Sequence, residues 1–346
     1  MRILNTLSGL TILSIVSICA PSCGTDFQAT PKTQKCIRPE YLKKGDKVAI
    51  ISPSFAILDS VGLYKSCDLL KEWGLEPVLG KYVLGTTVKD SSGNNLSVYA
   101  GTPEQRAEDL KWALEDDSIK AILCSRGGYG AIHLLEQIPL ETYTEHPKWL
   151  TGFSDITTLL SARTVAGVMS IHGNSAVAFA EEDGGDVYSR ALRDLLFGDI
   201  PSYHVEHDRN DVTGHAEGML VGGNMITMEA ILGIEYDFTQ YDGIVLLLEE
   251  VEEYYQALDR FLNSLAVHGR VSNIKGIIVG NMRDCPREMP YDTPYDLIGE
   301  YVKKWNIPTT FGIKCGHGPD NLPMVIGAKV TVDITKDGAD ISFNIE

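Results

Sequence analysis

Apolar and polar positions in the first third of the chain follow a strand, helix, strand order. Residues 47–54 (KVAIISPS) are a short apolar run that predicts a buried strand, and residues 59–74 carry apolar side chains at helical spacing. Residues 75–80 predict a second strand, and residues 100–116 predict a second helix. Thr102 is a suitable N-cap for that helix, because proline follows it and glutamine stands three positions later. This order is typical of a βαβ fold.

The next two segments repeat one order, which is a strand, a sharp turn and a helix. They cover residues 120–138 (KAILCSRGGYGAIHLLEQI) and residues 148–167 (KWLTGFSDITTLLSARTVAG). Parallel strands would bring both turns to one carboxyl edge of the sheet, where open α/β sheets bind ligands. We therefore expect a functional site at these two turns.

The regular pattern weakens over residues 181–213, where acidic, glycine and proline residues predict a linker. Residues 214–346 mix strands and helices less regularly, as in an α+β domain. The sequence thus predicts an α/β protein. It would have an N-terminal flavodoxin-like parallel sheet domain over residues 45–180 and a strand-rich C-terminal α+β domain.

The charge balance narrows the class of partner. Among 346 residues, 47 are Asp or Glu and 30 are Lys or Arg, so the formal net charge is -17. The sequence has no dense stripe of basic side chains that could neutralise phosphates, which argues against nucleic acid as a partner.

The amino terminus predicts a bacterial export signal over residues 1–22, because its apolar run is too short and too poorly flanked to span a membrane. A lipoprotein pathway acylates a cysteine at the end of such a signal, and we favour Cys23 over Cys19. Residues 23–44 would then tether the protein to the cell envelope. The alternative is a plain signal peptide cleaved near Ala20, with a periplasmic product.

The remaining cysteines are odd in number and widely spaced, without a C-x-x-C pair, which argues against zinc or redox chemistry. They are Cys36, Cys67, Cys124, Cys285 and Cys315. We expect them to be buried as small hydrophobes. A disulfide between Cys285 and Cys315 is left open.

Two turns carry candidate chemistry. Residues 125–131 (SRGGYGA) lack the ending of a Walker loop and the glycine spacing of a dinucleotide site, so nucleotide binding is not expected. They predict either a tight turn or a backbone cradle for an oxyanion or a carboxylate. In the second turn Ser154 is either a helix cap, a role that Asp155 also fits, or a nucleophile on a strand-to-helix corner.

The second half supplies two further candidates. Glu249 and Glu250 stand where an apolar strand ends, and we favour Glu249 because it lies at the edge where loops build sites. Glu252 and Glu253 predict a solvated helix start. His317 lies between two glycines in a loop before a strand, so it is less suited to a packed core position.

The other histidines are weaker candidates. His133 lies in a predicted helix, His204 and His207 lie in the predicted linker, and His172 and His215 are at most neighbours of the site. No H-E-x-x-H motif is present, and we expect no metal.

The order serine, glutamate, histidine is that of α/β-hydrolases, although Ile156 stands where their G-x-S-x-G turn has its second glycine. These residues alone are compatible with a serine hydrolase.

The chain further resembles the serine LD-carboxypeptidases, a family of muramoyltetrapeptide carboxypeptidases that also contains microcin C immunity peptidases. The resemblance spans residues 47–332 and rests on AGTPEQRAEDL, CSRGGYGA, GFSDIT, GMLVGGNM, LLLEE and CGHG in this order.

The resemblance implies a nucleophile elbow with Ser154 as the nucleophile, and Glu249 and His317 as the other two members of a catalytic triad. It implies an oxyanion hole from the backbone amides of Gly128 and Asp155. No metal or organic cofactor is implied. The substrate would be a murein tetrapeptide or a related short peptide, from which terminal D-alanine is removed.

Within the glycine loop we expect Arg126, Gly127 and Tyr129 to bind substrate. Arg126 is the candidate for the substrate carboxylate, and a structural ion pair is the alternative. A homodimer is also expected. Many members of the family act in the cytoplasm, so the export signal implies an envelope role here. The alternatives are a microcin C immunity-type peptidase and a lipoprotein that binds peptidoglycan fragments without cleaving them.

Overall fold

A computed structural model describes residues 32–58, 60–86, 98–181 and 186–345. Its strands are β1 (Lys47–Ile51), β2 (Glu76–Leu79), β3 (Ile119–Cys124), β4 (Trp149–Gly152), β5 (Ser170–His172), β6 (Ser202–Val205), β7 (Gly214–Asn224), β8 (Ile244–Val251), β9 (Ile274–Arg283), β10 (Thr309–Phe311), β11 (Met324–Ile326), β12 (Lys329–Ile334) and β13 (Ala339–Asn344). Its α-helices are α1 (Ser60–Glu72), α2 (Pro103–Glu115), α3 (Leu140–Glu145), α4 (Thr157–Val165), α5 (Val187–Phe197), α6 (Met225–Glu229), α7 (Tyr255–Val267) and α8 (Pro294–Trp305).

The first sheet has the strand order β11-β5-β4-β3-β1-β2. Its five strands from β2 to β5 are all parallel, in the 2-1-3-4-5 order of flavodoxin-like folds, which confirms the predicted fold class. The sixth strand, β11, pairs antiparallel with β5. The sequence assigned β11 to the second domain, because a three-residue apolar run does not show which sheet it will join.

The second sheet has the order β10-β9-β8-β7-β12-β13-β6. The strands from β10 to β7 are parallel, whereas β12, β13 and β6 add antiparallel pairs. The segment predicted as a linker contains α5 and the edge strand β6. The strand-rich second half is therefore as predicted, and the domain boundaries stay a prediction.

Local signals account for several elements. Thr102 caps α2 in a capping box: its hydroxyl accepts from the Gln105 amide at 3.3 Å, and its own amide donates to the Gln105 side chain at 2.9 Å. The helix predicted after the glycine loop is instead a single 3₁₀ segment, Ala131–Leu134. Gly130 before it has φ 118°, and a left-handed residue there breaks the helical pattern.

The strands that lead to the candidate residues are part of the buried core. In β8, every residue from Ile244 to Glu250 is buried, so this strand is fixed between its neighbours. Across the described ranges, no helix is long and apolar enough to cross a membrane. The predicted export signal and the favoured Cys23 lie outside the described residues.

Candidate active site

Ser154 lies on a strained corner immediately after β4. Its φ is 64°, in the left-handed region that non-glycine residues rarely adopt, and it begins a short 3₁₀ turn that leads into α4. Gly152 makes this corner tight, because a Cβ there would lie 2.9 Å from the Ile156 side chain. The N-cap residues of this turn and of α4 are Phe153 and Ile156, so Ser154 is the N-cap of neither element.

The structure brings the serine, the histidine and the glutamate into one hydrogen-bonded line. Oγ of Ser154 is 3.0 Å from Nε2 of His317, and Nδ1 of His317 is 2.7 Å from Oε2 of Glu249. The His317 backbone amide also donates to Oε2 at 3.2 Å. Gly316 permits this approach, because its φ is 108° and a Cβ would lie 2.6 Å from that oxygen.

The electrostatics of the pair suit proton transfer. Glu249 is fully buried, which opposes ionisation, but His317 and His172 beside it outweigh burial and lower its pKa below the usual range. Burial lowers the pKa of His317, and the Glu249 charge and hydrogen bond raise it above its ordinary value overall. The glutamate therefore stays ionised, and the histidine is a stronger base than an isolated imidazole.

The glycine loop packs directly against the serine. A Cβ on Gly127 would lie 2.7 Å from Cβ and 3.0 Å from Oγ of Ser154, so only glycine allows the loop this close. Gly128 has φ 122°, and a Cβ on it would lie 2.2 Å from the Phe55 ring. The loop therefore faces the Ser154 hydroxyl with backbone atoms and without side chains.

Asp155 anchors that loop with its side chain. Its Oδ2 accepts from the Ser54 hydroxyl at 2.6 Å and from the Ala131 amide at 2.8 Å, so it does not cap α4. Burial raises its pKa, and these hydrogen bonds limit the rise. Arg106 adds a second anchor, because it donates to the Gly130 carbonyl at 2.7 Å. Arg106 is not among the residues predicted from the sequence, because the sequence shows only its place in the amphipathic helix α2.

Arg126, in the glycine loop, contacts residues of the segment that follows β1. Its Nη1 donates to the Ala56 carbonyl at 3.3 Å, and its guanidinium is 5.8 Å from the Phe55 ring centroid. It forms no salt bridge with any residue that the structure describes. The structural ion pair and the carboxylate contact both stay predictions.

A cleft of about 320 Å³ opens at the serine. Its lining includes Gly128, Tyr129, Ser154, Thr227, Glu250 and Glu253. Tyr129 is half exposed there, as expected for a residue that can meet a ligand. Asp155 also lines the cleft, so three residues with carboxyl groups surround it.

Glu250 has a role of its own in the structure, whereas the sequence showed it only as the neighbour of Glu249 at the end of a strand. It is buried and accepts from the Asn224 side chain at 2.5 Å and from the Ile226 and Val251 amides at 2.9 Å each. Burial and the neighbouring Glu249 raise its pKa to about 7. The alternation of side chains along a strand sends Glu249 and Glu250 to opposite faces, which the double glutamate motif alone does not resolve.

The prediction that Glu252 and Glu253 begin a helix is wrong, because the helix begins shortly after them. Helix α7 begins at Tyr255, whereas Glu252 is an exposed residue with φ 58° and Glu253 lines the cleft. The tight turn after β8 takes up these two positions, and residue polarity does not reveal it.

Two of the remaining histidines lie on the surface and one lies at the site, whereas four of the five cysteines are buried as expected and Cys285 is only partly buried. His204 and His215 form exposed pairs with Asp340 at 2.8 Å and Asp333 at 2.6 Å, away from the serine. His172 does lie beside Glu249. The five cysteines of the described part are free, so the disulfide left open is not formed. Within that part, no group of three or more His, Cys, Asp or Glu could hold a metal ion.

The protein has the arrangement of a hydrolase. A flavodoxin-like sheet and a strand-rich second sheet carry a serine, a histidine and a glutamate at their edge. More particularly, the chain belongs to the LD-carboxypeptidase family. The N-terminal domain of that family matches residues 48–173, and its C-terminal domain matches residues 217–332. This confirms the family that the motifs indicated.

The alignments with known relatives cover most of this chain and nearly the whole of each relative. The chain is 31% identical over 299 residues to the murein tetrapeptide carboxypeptidase of Pseudomonas aeruginosa, which covers 83% of this chain and 93% of that protein. It is 22% identical over 338 residues to the microcin C7 self-immunity protein MccF of Escherichia coli, with 87% and 94% covered. A crystal structure of muramoyltetrapeptide carboxypeptidase from Oxalobacter formigenes has a TM-score of 0.73 at 20% identity, covering 86% and 98%, which shows a shared fold.

Proposed function

We propose that the protein is a serine LD-carboxypeptidase that releases terminal D-alanine from murein tetrapeptides. The observation that carries this proposal is the line from Oγ of Ser154 to Nε2 of His317 at 3.0 Å and on to buried Glu249 at 2.7 Å. The name of the Pseudomonas aeruginosa relative supports the substrate class.

The first half of the reaction uses all three side chains. Oγ of Ser154 attacks the carbonyl carbon before the terminal residue, while its proton passes to Nε2 of His317. Ionised Glu249 holds the imidazole through Nδ1 and stabilises the imidazolium that forms. When the tetrahedral intermediate collapses, His317 returns the proton to the leaving amine of D-alanine, and an acyl-enzyme ester remains.

The second half repeats the proton transfers with water. His317 takes a proton from water, which attacks the ester, and the Ser154 hydroxyl is restored. The amides of Gly128 and Asp155 are the proposed donors to the oxyanion in both halves. The support is local: the loop backbone at Gly127 can approach Ser154 only because it lacks a side chain. Losing one such donor typically costs about 100-fold or more in rate.

Release of D-alanine tests the proposal. Purified protein is incubated with L-Ala-D-Glu-meso-diaminopimelate-D-Ala, and products are identified by mass. We expect D-alanine and the tripeptide from the wild type and neither from Ser154→Ala. Binding of the peptide without cleavage would instead support the non-catalytic alternative.

A further inference from the structure

A second histidine lies next to the Glu249 oxygen that His317 does not use. His172 ends β5 and is fully buried, and its Nε2 is 3.8 Å from Oε1 of Glu249. Neither atom has a hydrogen-bond partner among the described residues. Buried polar atoms without partners are rare in folded proteins, so the pair calls for an explanation.

The other nitrogen of His172 faces a buried thiol. Nδ1 is 3.4 Å from Sγ of Cys315, a suitable distance for a sulfur donor. Cys315 is fully buried, and burial and the Glu249 charge raise the pKa of its thiol, so the sulfur keeps its hydrogen. When the thiol donates to Nδ1, the imidazole hydrogen is on Nε2, next to Glu249.

The fold makes room for this arrangement. Gly223, at the end of β7, has φ 143°, and a Cβ on it would lie 3.2 Å from Cδ2 of His172. The pairing of Met324 with His172 joins β11 to the end of β5, so the strand after the His317 loop is fixed beside this ring. His172 is therefore held between elements of both sheets.

We propose that His172 is a positioning residue, whose Nε2–H donates to Oε1 of Glu249 and holds the carboxylate while His317 exchanges its proton with Ser154. A shortening of the contact by about 1 Å brings it within hydrogen-bond distance. A buried ionised carboxylate with one unpaired oxygen is costly, and this donor offsets that cost. The inference rests on the proposed triad, and His172 acts only through Glu249.

Two amide substitutions separate the roles of the two ring nitrogens. His172→Gln places an N–H near the position of Nε2, whereas His172→Asn places its amide near Nδ1 and leaves Oε1 of Glu249 without a donor. The probe is a fluorophosphonate, which reacts whichever peptide is the substrate: phosphorus bonds to Ser154 Oγ, the hydroxyl proton passes to His317 and fluoride leaves. Intact mass gives the limiting rate and the half-saturating concentration, and thermal unfolding reports on the fold.

We expect His172→Asn to lower the limiting rate about 10- to 100-fold with half-saturation unchanged, because it removes a hydrogen bond to a buried charged group. His172→Gln should stay within about threefold of the wild type if the N–H at Nε2 is what matters. A rate in His172→Asn equal to the wild type, or an equal loss in both variants, would overturn the inference. If the wild type is not labelled at Ser154, the proposed function fails as well.

Cys315 gives the same test if the His172 variants do not fold. Cys315→Ser retains a donor to Nδ1, whereas Cys315→Ala removes it. A lower limiting rate in Cys315→Ala alone supports the inference, and equal rates in the two variants contradict it.

Discussion

Ser154 joins a polar side chain to a backbone conformation that glycine adopts most easily. Left-handed backbone costs a non-glycine residue about 1–2 kcal/mol. At φ 64° the hydroxyl makes no cap and instead lies 3.0 Å from His317. Strain of this kind persists at functional positions, where the surrounding structure imposes it. The cap and nucleophile readings of the turn were both open from sequence, because composition does not reveal φ.

Two substitutions at Ser154 separate strain from chemistry. Both Ser154→Ala and Ser154→Gly should lose about 10⁶-fold in kcat, because each removes the nucleophile. Ser154→Gly should be more stable than Ser154→Ala by about 0.5–1 kcal/mol, since relief of left-handed strain exceeds glycine's extra entropy when unfolded. Urea unfolding and D-alanine release measure the two effects. Retained turnover in either variant would mean that Ser154 is not the nucleophile.

The pH dependence follows from His317. The neutral imidazole is the base, so kcat/KM should fall as the pH drops through the His317 pKa, which Glu249 raises above the ordinary value of about 6.5. Glu249→Gln removes that charge and should move the acidic limb to lower pH, with a loss of about 10⁴-fold in kcat.

The matched control for this prediction is Glu252→Gln, on the exposed turn after β8. It should leave both the rate and the limb near normal. An acidic limb that stays in place in Glu249→Gln would contradict the assignment of Glu249.

At the scale of elements, the glycine loop and the serine turn were predictable because their signals are local. Paired glycines and a Ser-Asp corner follow apolar strands in the sequence, and the structure places both at one sheet edge. The anchor that Asp155 provides was not predictable, because Ser54 lies 101 positions away in the chain. Contacts of that separation have no local sequence pattern.

Two buried aspartates test this anchor. Asp155→Asn and Asp109→Asn each weaken a buried oxygen that accepts a backbone amide, at 2.8 Å from Ala131 and 2.9 Å from Tyr82. Each should destabilise the fold by about 1–3 kcal/mol. Only Asp155→Asn should also lower kcat, because only it holds the glycine loop. Equal kcat values in the two variants would show that the anchor does not affect the reaction.

At the scale of the whole molecule, the two halves are joined more closely than the sequence implied. β11 follows the His317 loop and pairs with β5, so a strand from the second half of the chain completes the first sheet, the sheet that carries Ser154. Hydrophobic pattern predicted the two sheets, but a strand of three residues carries no information about its partner. The sequence likewise showed His172 only as a possible neighbour of the site, because its contact with Glu249 joins strands of two different sheets.

The envelope location that we propose rests on the amino terminus alone. We expect Cys23 to carry a lipid, because the predicted export signal ends beside it. Mass spectrometry of the membrane fraction should find the acylated cysteine as the mature amino terminus. Cys23→Ser should abolish the lipid and Cys19→Ser should retain it, whereas a mature terminus downstream of Cys23 would exclude the anchor.

The most direct test of the central claim compares two tetrapeptides that differ only in their last stereocentre. In the proposed reaction the terminal carboxylate and the scissile carbonyl both fit between the glycine loop and Ser154, and a misplacement of about 1 Å can cost roughly 100-fold in rate. On one preparation, with Ser154→Ala as the blank, kcat/KM for the L,D-peptide should exceed that for the L,L-peptide by about 100-fold or more. Equal values would contradict an LD-carboxypeptidase and leave a general serine peptidase.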